Sequence, residues 1–362
     1  MNRAGRITTL QLFRGVAALL VVFYHATVYS QEQLGYSFLG GLFLFGYTGV
    51  DFFFVLSGFI IYYIHAADIG DPSRLRPYLT KRLARIFPTY WIVTAIKLAL
   101  IVVVPTIAKS YERDLAVIVK SILLVPQTNL PLIGAAWTLS YELLFYILFG
   151  LAILVGSAWA YRLVWVWVAA TVIYTSAKLL WPTLPDSLLL QFLLNERNLE
   201  FCLGCLSAHF VMTRKVPLTP VLVISGVLLF GLAALRVAQG VVPLFYTPIF
   251  GVASFLVVTG SAAYELRNRV QVPRLLVFLG DASYSIYLTH VMFINAVVLV
   301  YRRLNVASIF GPFVTTLSLV VLSVVAASAF YFVLERPMLR WLSTRSRATP
   351  ANPGLAQSTI SK

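Results

Sequence analysis

LFRGVAALLVVFYHATVY, residues 12–29, is an apolar run long enough for a helix, yet it carries two charge-capable side chains, Arg14 and His25. A charged group inside a bilayer costs several kcal/mol unless it faces protein or water, so both are functional candidates by position alone. The ten residues between them correspond to about three helical turns and a rise of roughly 16 Å, which places both side chains near one face. The first helix reads as built around a polar stripe.

The rest of the chain has the same character. Hydrophobic residues make up 60% of the 362 and charged residues 11%, and the mean hydropathy is +0.86, whereas a soluble protein of this length carries roughly a quarter charged residues. These values describe a polytopic membrane protein, all-α, a helical bundle. A net charge of +15 would suggest nucleic acid for a soluble domain, but here the Lys and Arg cluster in short segments between apolar runs, as the cytosolic positive bias predicts. No nucleic-acid partner is expected. The start imitates a secretory signal, but Arg14 interrupts its apolar run and many further apolar segments follow, so it reads as a retained first span. Cys202 and Cys205, in FCLGCLSAHF, lie in an apolar helix without a second cysteine pair and read as small packing residues rather than as metal ligands.

A span needs about 20 apolar residues to cross about 30 Å of hydrocarbon. About ten transmembrane helices are expected, near 9–29, 41–66, 88–108, 138–157, 160–181, 190–212, 218–238, 242–263, 276–300 and 308–334. The sixth is interrupted by Asn195, Glu196, Arg197, Asn198 and Glu200, so its start is expected near Leu199. Basic residues fall before the first span (Arg3, Arg6) and after the second, sixth, eighth and tenth (Arg74, Arg76, Lys81, Arg82 and Arg85; Arg214 and Lys215; Arg267, Arg269 and Arg274; Arg336, Arg340, Arg345 and Arg347). This pattern predicts a multi-pass protein with both termini cytosolic. One membrane domain is expected over residues 1–341, followed by a cytosolic, disordered tail over 342–362.

Several segments hold candidate chemistry. With the amino terminus inside, Arg14 lies towards the cytosol and His25 towards the outer side; a histidine is readily poised as a base near neutral pH, and equally serves as an interfacial hydrogen-bonding group. In GVDFFFVLSGFII, Gly49 and Gly58 permit close helix approach, and Asp51 needs an Arg or His partner if buried. Arg82 and Arg85 in YLTKRLARIFPTYW are three apart, with Lys81 beside them; they suit phosphate groups, and also ordinary anchoring at the membrane surface. Glu142, in AAWTLSYELLFY, is expected at a depth comparable to His25, where it either orients that histidine or caps a network with Arg197. GDASYSIYLTHVMF supplies Ser283, Tyr284, Ser285, Tyr287, Thr289 and His290, residues that more often hold helices together than react.

Taken together, the Arg-x10-His first span, GVDFFFVLSGF, the RLAR run before a proline, WTLSYE, SYSIYLTH and the closing FYFVLERP resemble the acyltransferase 3 family of integral membrane O-acyltransferases, from about residue 7 to residue 341. Within that family the chain is most similar to bacterial enzymes that acetylate or succinylate exopolysaccharides and other surface glycans. The resemblance implies an enzyme of the bacterial cytoplasmic (inner) membrane that takes an acyl group from cytosolic acyl-CoA, acetyl-CoA first, and passes it to a glycan or lipid-linked saccharide acceptor. It implies O-acetylation without a metal, with His25 as catalytic histidine, Arg14 its partner, Glu142 a further catalytic or acceptor-site residue, and Lys81, Arg82 and Arg85 on the acyl-CoA side. Besides membrane lipid, no other partner is indicated, and the sequence leaves the oligomeric state, the acyl group and the acceptor open. A transporter of a lipid-linked sugar or small solute is the rival reading, although no inverted repeat is visible between the two halves; a structural membrane protein fits the early His, Arg and Glu less well.

Overall fold

The computed structural model describes residues 7–213, 216–241 and 246–348. Arg3, Arg6, Arg214 and Lys215 of the basic pattern lie outside these residues. Among the described residues the regular structure is helical: α1 Thr8–Leu34, α2 Gly49–His65, α3 Leu75–Val103, α4 Leu115–Leu123, α5 Trp137–Val155, α6 Ser157–Leu180, α7 Leu188–Leu193, α8 Arg197–Thr213, α9 Thr219–Ala238, α10 Tyr246–Glu265, α11 Arg274–Asp281, α12 Ser283–Leu304, α13 Val306–Phe330 and α14 Arg336–Ala348. Nine helical segments of the described residues are long and apolar enough to cross a membrane. The one expected span not among them is the sixth, 190–212, which corresponds to α8; this helix is only 17 residues long and sits inside the bundle against α2 and α10. Its polar first turn, starting at Arg197, is thus sheltered by protein rather than exposed to lipid.

Three boundaries depart from the sequence expectation. The third span does not open at Pro88: α3 begins at Leu75 and runs through Pro88, so Arg82 and Arg85 lie within the helix rather than on a loop. A proline in a membrane helix is tolerated where neighbouring groups satisfy the carbonyl it frees. The ninth span divides at Ala282 into the short α11 and the long α12. The division lets α11 lie against α1 so closely that a Cβ on Gly280 would be 2.0 Å from Gln11 O. The last span passes through a π turn, Tyr331–Glu335, into α14, which continues past the expected boundary at 341 to Ala348; residues 349–362 of the expected tail lie outside the described residues.

In a bilayer the lipid tails are as apolar as the side chains, so helix association rests on close packing and on hydrogen bonds between helices. The crossing of α2 and α8 shows both. A Cβ on Gly58 would fall 2.2 Å from Phe201 O and one on Gly204 2.1 Å from Val55 O, so the two backbones touch, while Cys205 Sγ donates to Gly58 O at 3.5 Å. Gly49 likewise abuts α1, where a Cβ would lie 2.5 Å from Ala17 O. Elsewhere the Thr259 hydroxyl on α10 donates to Ser207 Oγ on α8 at 2.7 Å, and the Thr316 hydroxyl on α13 donates to Ser30 Oγ on α1 at 3.0 Å.

The start of α1 is held by one carboxylate. Glu265 at the end of α10 accepts from the backbone N–H groups of Thr8 and Thr9, at 2.7 and 2.8 Å, and from both their hydroxyls, each at 2.6 Å. Two otherwise unpaired first-turn amides and the positive end of the helix are satisfied together. Arg267 just beyond α10 donates to Val216 O before α9 at 2.8 Å. These contacts bring the end of α10 to the start of α1 and to the segment before α9.

Candidate active site

Five helices converge on a cavity of about 120 Å³, lined among others by Arg14 of α1, Phe53 and Ser57 of α2, Arg82 and Arg85 of α3, Glu142 and Tyr146 of α5, and Tyr284 and Tyr287 of α12. Arg82 and Arg85 lie three residues apart on α3 and therefore share a face. The Arg82 guanidinium stands 6.0 Å from the ring of Tyr78 and 5.9 Å from that of Tyr146, and Arg85 stands 5.8 Å from the ring of Tyr284. Aromatic faces hold these cations without neutralising them. Glu142 and Tyr146 are one turn apart on α5, and the tyrosine hydroxyl donates to Glu142 Oε1 at 2.5 Å.

A second, wider cavity of about 400 Å³ is lined by Gln11, Arg14, Arg85, Asp281, Tyr331, Arg336, Leu339 and Arg340. Arg14 and Arg85 belong to both linings, so the two spaces are neighbours. Arg85 is tethered by Glu335, whose Oε1 lies 3.6 Å from Arg85 Nη1 and whose Oε2 accepts from the Ser285 hydroxyl. Glu335 is fully buried, and the π turn is what points it inward; such turns recur at functional sites. Four arginines facing one basin form a fork-rich surface for phosphate oxygens.

Of the residues expected from sequence, Arg14, Arg82, Arg85 and Glu142 are therefore brought together. Lys81 is exposed and lines neither cavity. His25 also lines neither. It is half-buried farther along α1, its ring centroid 4.9 Å from that of His290 on α12 and 4.9 Å from that of Tyr24. Tyr287 stands between: its ring lines the first cavity, lies 6.0 Å from the His290 ring, and its hydroxyl shares a 3.0 Å hydrogen bond with the Thr138 hydroxyl.

Glu142 neither orients His25 nor caps Arg197, since its hydrogen-bond partner is Tyr146 and Arg197 is engaged elsewhere. Arg197 Nε is 3.6 Å from Asp51 Oδ1, its Nη2 donates to the Tyr246 hydroxyl at 2.8 Å, and its guanidinium lies 5.3 Å from the Trp137 ring. The partner that a buried Asp51 requires is thus supplied by α8, where Glu200 is buried as well.

Tyr146, Glu335 and Glu200 were missing from the candidates read in sequence. The spacing of Glu142 and Tyr146, four apart in an apolar helix, is the signal that would have found Tyr146. Glu335 was inside the quoted FYFVLERP motif, but only the π turn shows that it faces Arg85.

A family model described as an acyltransferase domain matches residues 7–332. The chain belongs to the acyltransferase 3 family. It is 30% identical over 326 residues to the exopolysaccharide production protein ExoZ of Rhizobium meliloti (strain 1021), covering 88% of this chain and 96% of that protein. It is 28% identical over 375 residues to the acyltransferase MdmB of Streptomyces mycarofaciens, covering 95% and 94%. No solved structure matches the chain. As a member of this family it is a multi-pass membrane acyltransferase of groups other than aminoacyl groups.

Proposed function

We propose that this acyltransferase moves an acyl group, acetyl first, from cytosolic acyl-CoA to a sugar hydroxyl of a surface glycan or exopolysaccharide precursor at the bacterial cytoplasmic membrane. The observation that carries the reading is the arginine basin lying next to the inner cavity, with Arg14 and Arg85 lining both. The nucleotide phosphates of the donor meet Arg85, Arg336 and Arg340, with both termini of the chain on that cytosolic side, and the pantetheine arm enters between Arg14, Arg82 and Glu142. The thioester then passes Tyr287 to reach His25. The similarity to ExoZ, an exopolysaccharide production protein, supports a saccharide acceptor.

Neutral His25 removes the proton of the acceptor hydroxyl as its oxygen attacks the thioester carbonyl; the carbon–sulfur bond breaks, the new ester forms, and the CoA thiolate takes the proton back from His25. Arg14, which lines both cavities, holds the donor in line. Glu142, kept in place by Tyr146, faces the same path. Purified protein in detergent should release free CoA from acetyl-CoA only when a glycan acceptor is present, and His25→Ala should abolish release while the protein remains folded. Full glycan acylation by a well-expressed His25→Ala protein would sink the role given to His25, and solute uptake without CoA release would favour a transporter.

A further inference from the structure

The two histidine rings between α1 and α12 each carry a nitrogen that the fold leaves without a partner. His290 is fully buried. Its Nδ1 lies 2.6 Å from Tyr287 O and 3.2 Å from Ile286 O, and because a carbonyl only accepts, Nδ1 carries the proton. Nε2 of the neutral ring is therefore a bare lone pair, and it is enclosed without a hydrogen-bond partner. Nδ1 of His25 is enclosed without a partner too. Buried polar atoms are nearly always satisfied, so two orphans on rings whose centroids are 4.9 Å apart at an interplanar angle of 64° call for a common explanation.

We propose that His290 is the positioning residue of the His25 base, its Nε2 accepting the Nδ1–H of His25 and so leaving His25 Nε2 as the lone pair that takes the acceptor proton. The inference rests on the role given to His25 above. A small turn of the half-buried His25 ring closes the hydrogen bond, and the bifurcated anchor on Ile286 and Tyr287 keeps the acceptor ring still. In most hydrolytic and transfer sites the group behind a catalytic imidazole is a carboxylate, which fixes the tautomer and steadies the imidazolium. Inside a bilayer a carboxylate in that position is costly to desolvate, whereas a neutral imidazole performs the orienting half of the task without a buried charge. His290 sits on the same helix as Tyr287, so the orienting ring and the residue standing between the cavity and His25 move together.

Two amide substitutions separate this role from a packing role. Gln at position 290 can place its side-chain oxygen where Nε2 stands, whereas Asn reaches only the position of Nδ1 and the backbone carbonyls. For His290→Gln we expect kcat within about tenfold of the parent, and for His290→Asn a loss of about a hundredfold, the lower end of what a positioned base contributes. The acyl-CoA KM should stay within about twofold in both, because neither cavity lining includes His290. If His290 merely ties Ile286 and Tyr287, Asn preserves that tie better than Gln and the order reverses. The reversed order, equal losses in the two variants, or parental kcat in His290→Asn would each overturn the proposal; equal losses include the case in which both variants fail to fold. Its failure is distinguishable from that of the underlying reading, since an active His25→Ala protein removes the base itself, whereas an inactive His25→Ala protein with the reversed order removes only His290.

Discussion

Replacing Glu265 by Ala should loosen the attachment of the helix that carries both Arg14 and His25. The carboxylate accepts four hydrogen bonds, two from first-turn amides and two from threonine hydroxyls, all between 2.6 and 2.8 Å. A hydrogen bond to a charged group contributes about 1.5–3 kcal/mol, so four independent ones would sum to about 6–12 kcal/mol. They are not independent, and Glu265 is only part-buried; the hydroxyls can turn to water, leaving the two amides as the groups that lose an irreplaceable acceptor. Two such bonds set the expectation at about 3–6 kcal/mol for Glu265→Ala, and Glu265→Gln, which keeps one acceptor oxygen, should lose about half of that. Thermal unfolding of the purified protein in detergent measures both. In a double-mutant cycle, Thr9→Val should cost little once Glu265 is gone, because its partner is already removed. A Glu265→Ala protein within about 0.5 kcal/mol of the parent, or a Thr9→Val cost that is fully additive, would refute the reasoning.

Changing Arg82 and Arg85 together to Gln should raise the KM for acyl-CoA about tenfold or more, with the KM for the glycan within about twofold, since the bidentate forks are lost and the rest of the path is intact; initial rates with each substrate varied check this, and an unchanged acyl-CoA KM would mean that the two arginines serve topology alone. Gly204→Val should cost about 3 kcal/mol or prevent accumulation in the membrane, because even a Cβ there falls 2.1 Å from Val55 O, whereas Gly231→Ala, which meets nothing within 4 Å, should be silent; comparable yields and melting curves for both would contradict the tight crossing of α2 and α8. Arg197→Met leaves the buried carboxyls of Asp51 and Glu200 without their cation and should destabilise by about 3–5 kcal/mol. Adding Asp51→Leu should recover part of the loss, and a double variant worse than Arg197→Met would argue against the pairing.

The helical class, the approximate number of spans and the family were legible because they depend on local quantities: runs of about 20 apolar residues, basic segments between them, and motifs in a fixed order. Arg14 and His25 announced themselves for the same reason, as costly groups in an apolar helix. The depth of Glu142, by contrast, was misjudged in its consequence. A similar depth along two helices says nothing about whether they face each other, and the face of α5 that carries Glu142 turns to Arg14, Arg82 and Arg85 instead. The start of α3 was misplaced because proline is a reliable helix boundary in water and a tolerated interior residue in a bundle.

From the sequence alone came the membrane class, the acyltransferase motifs and the identity of the groups able to carry charge or protons. Only the tertiary structure decided which of them meet. It joined the arginines of α1, α3 and α14 in one basin, turned Glu335 onto Arg85 through a π turn, gave Asp51 its partner on α8, and set His290 rather than Glu142 beside His25. The physical reason is that a helix states its own periodicity in its residues, whereas its rotation and height against its neighbours are set by backbone contacts such as Gly58 on Phe201 and Gly280 on Gln11, between residues far apart in the chain.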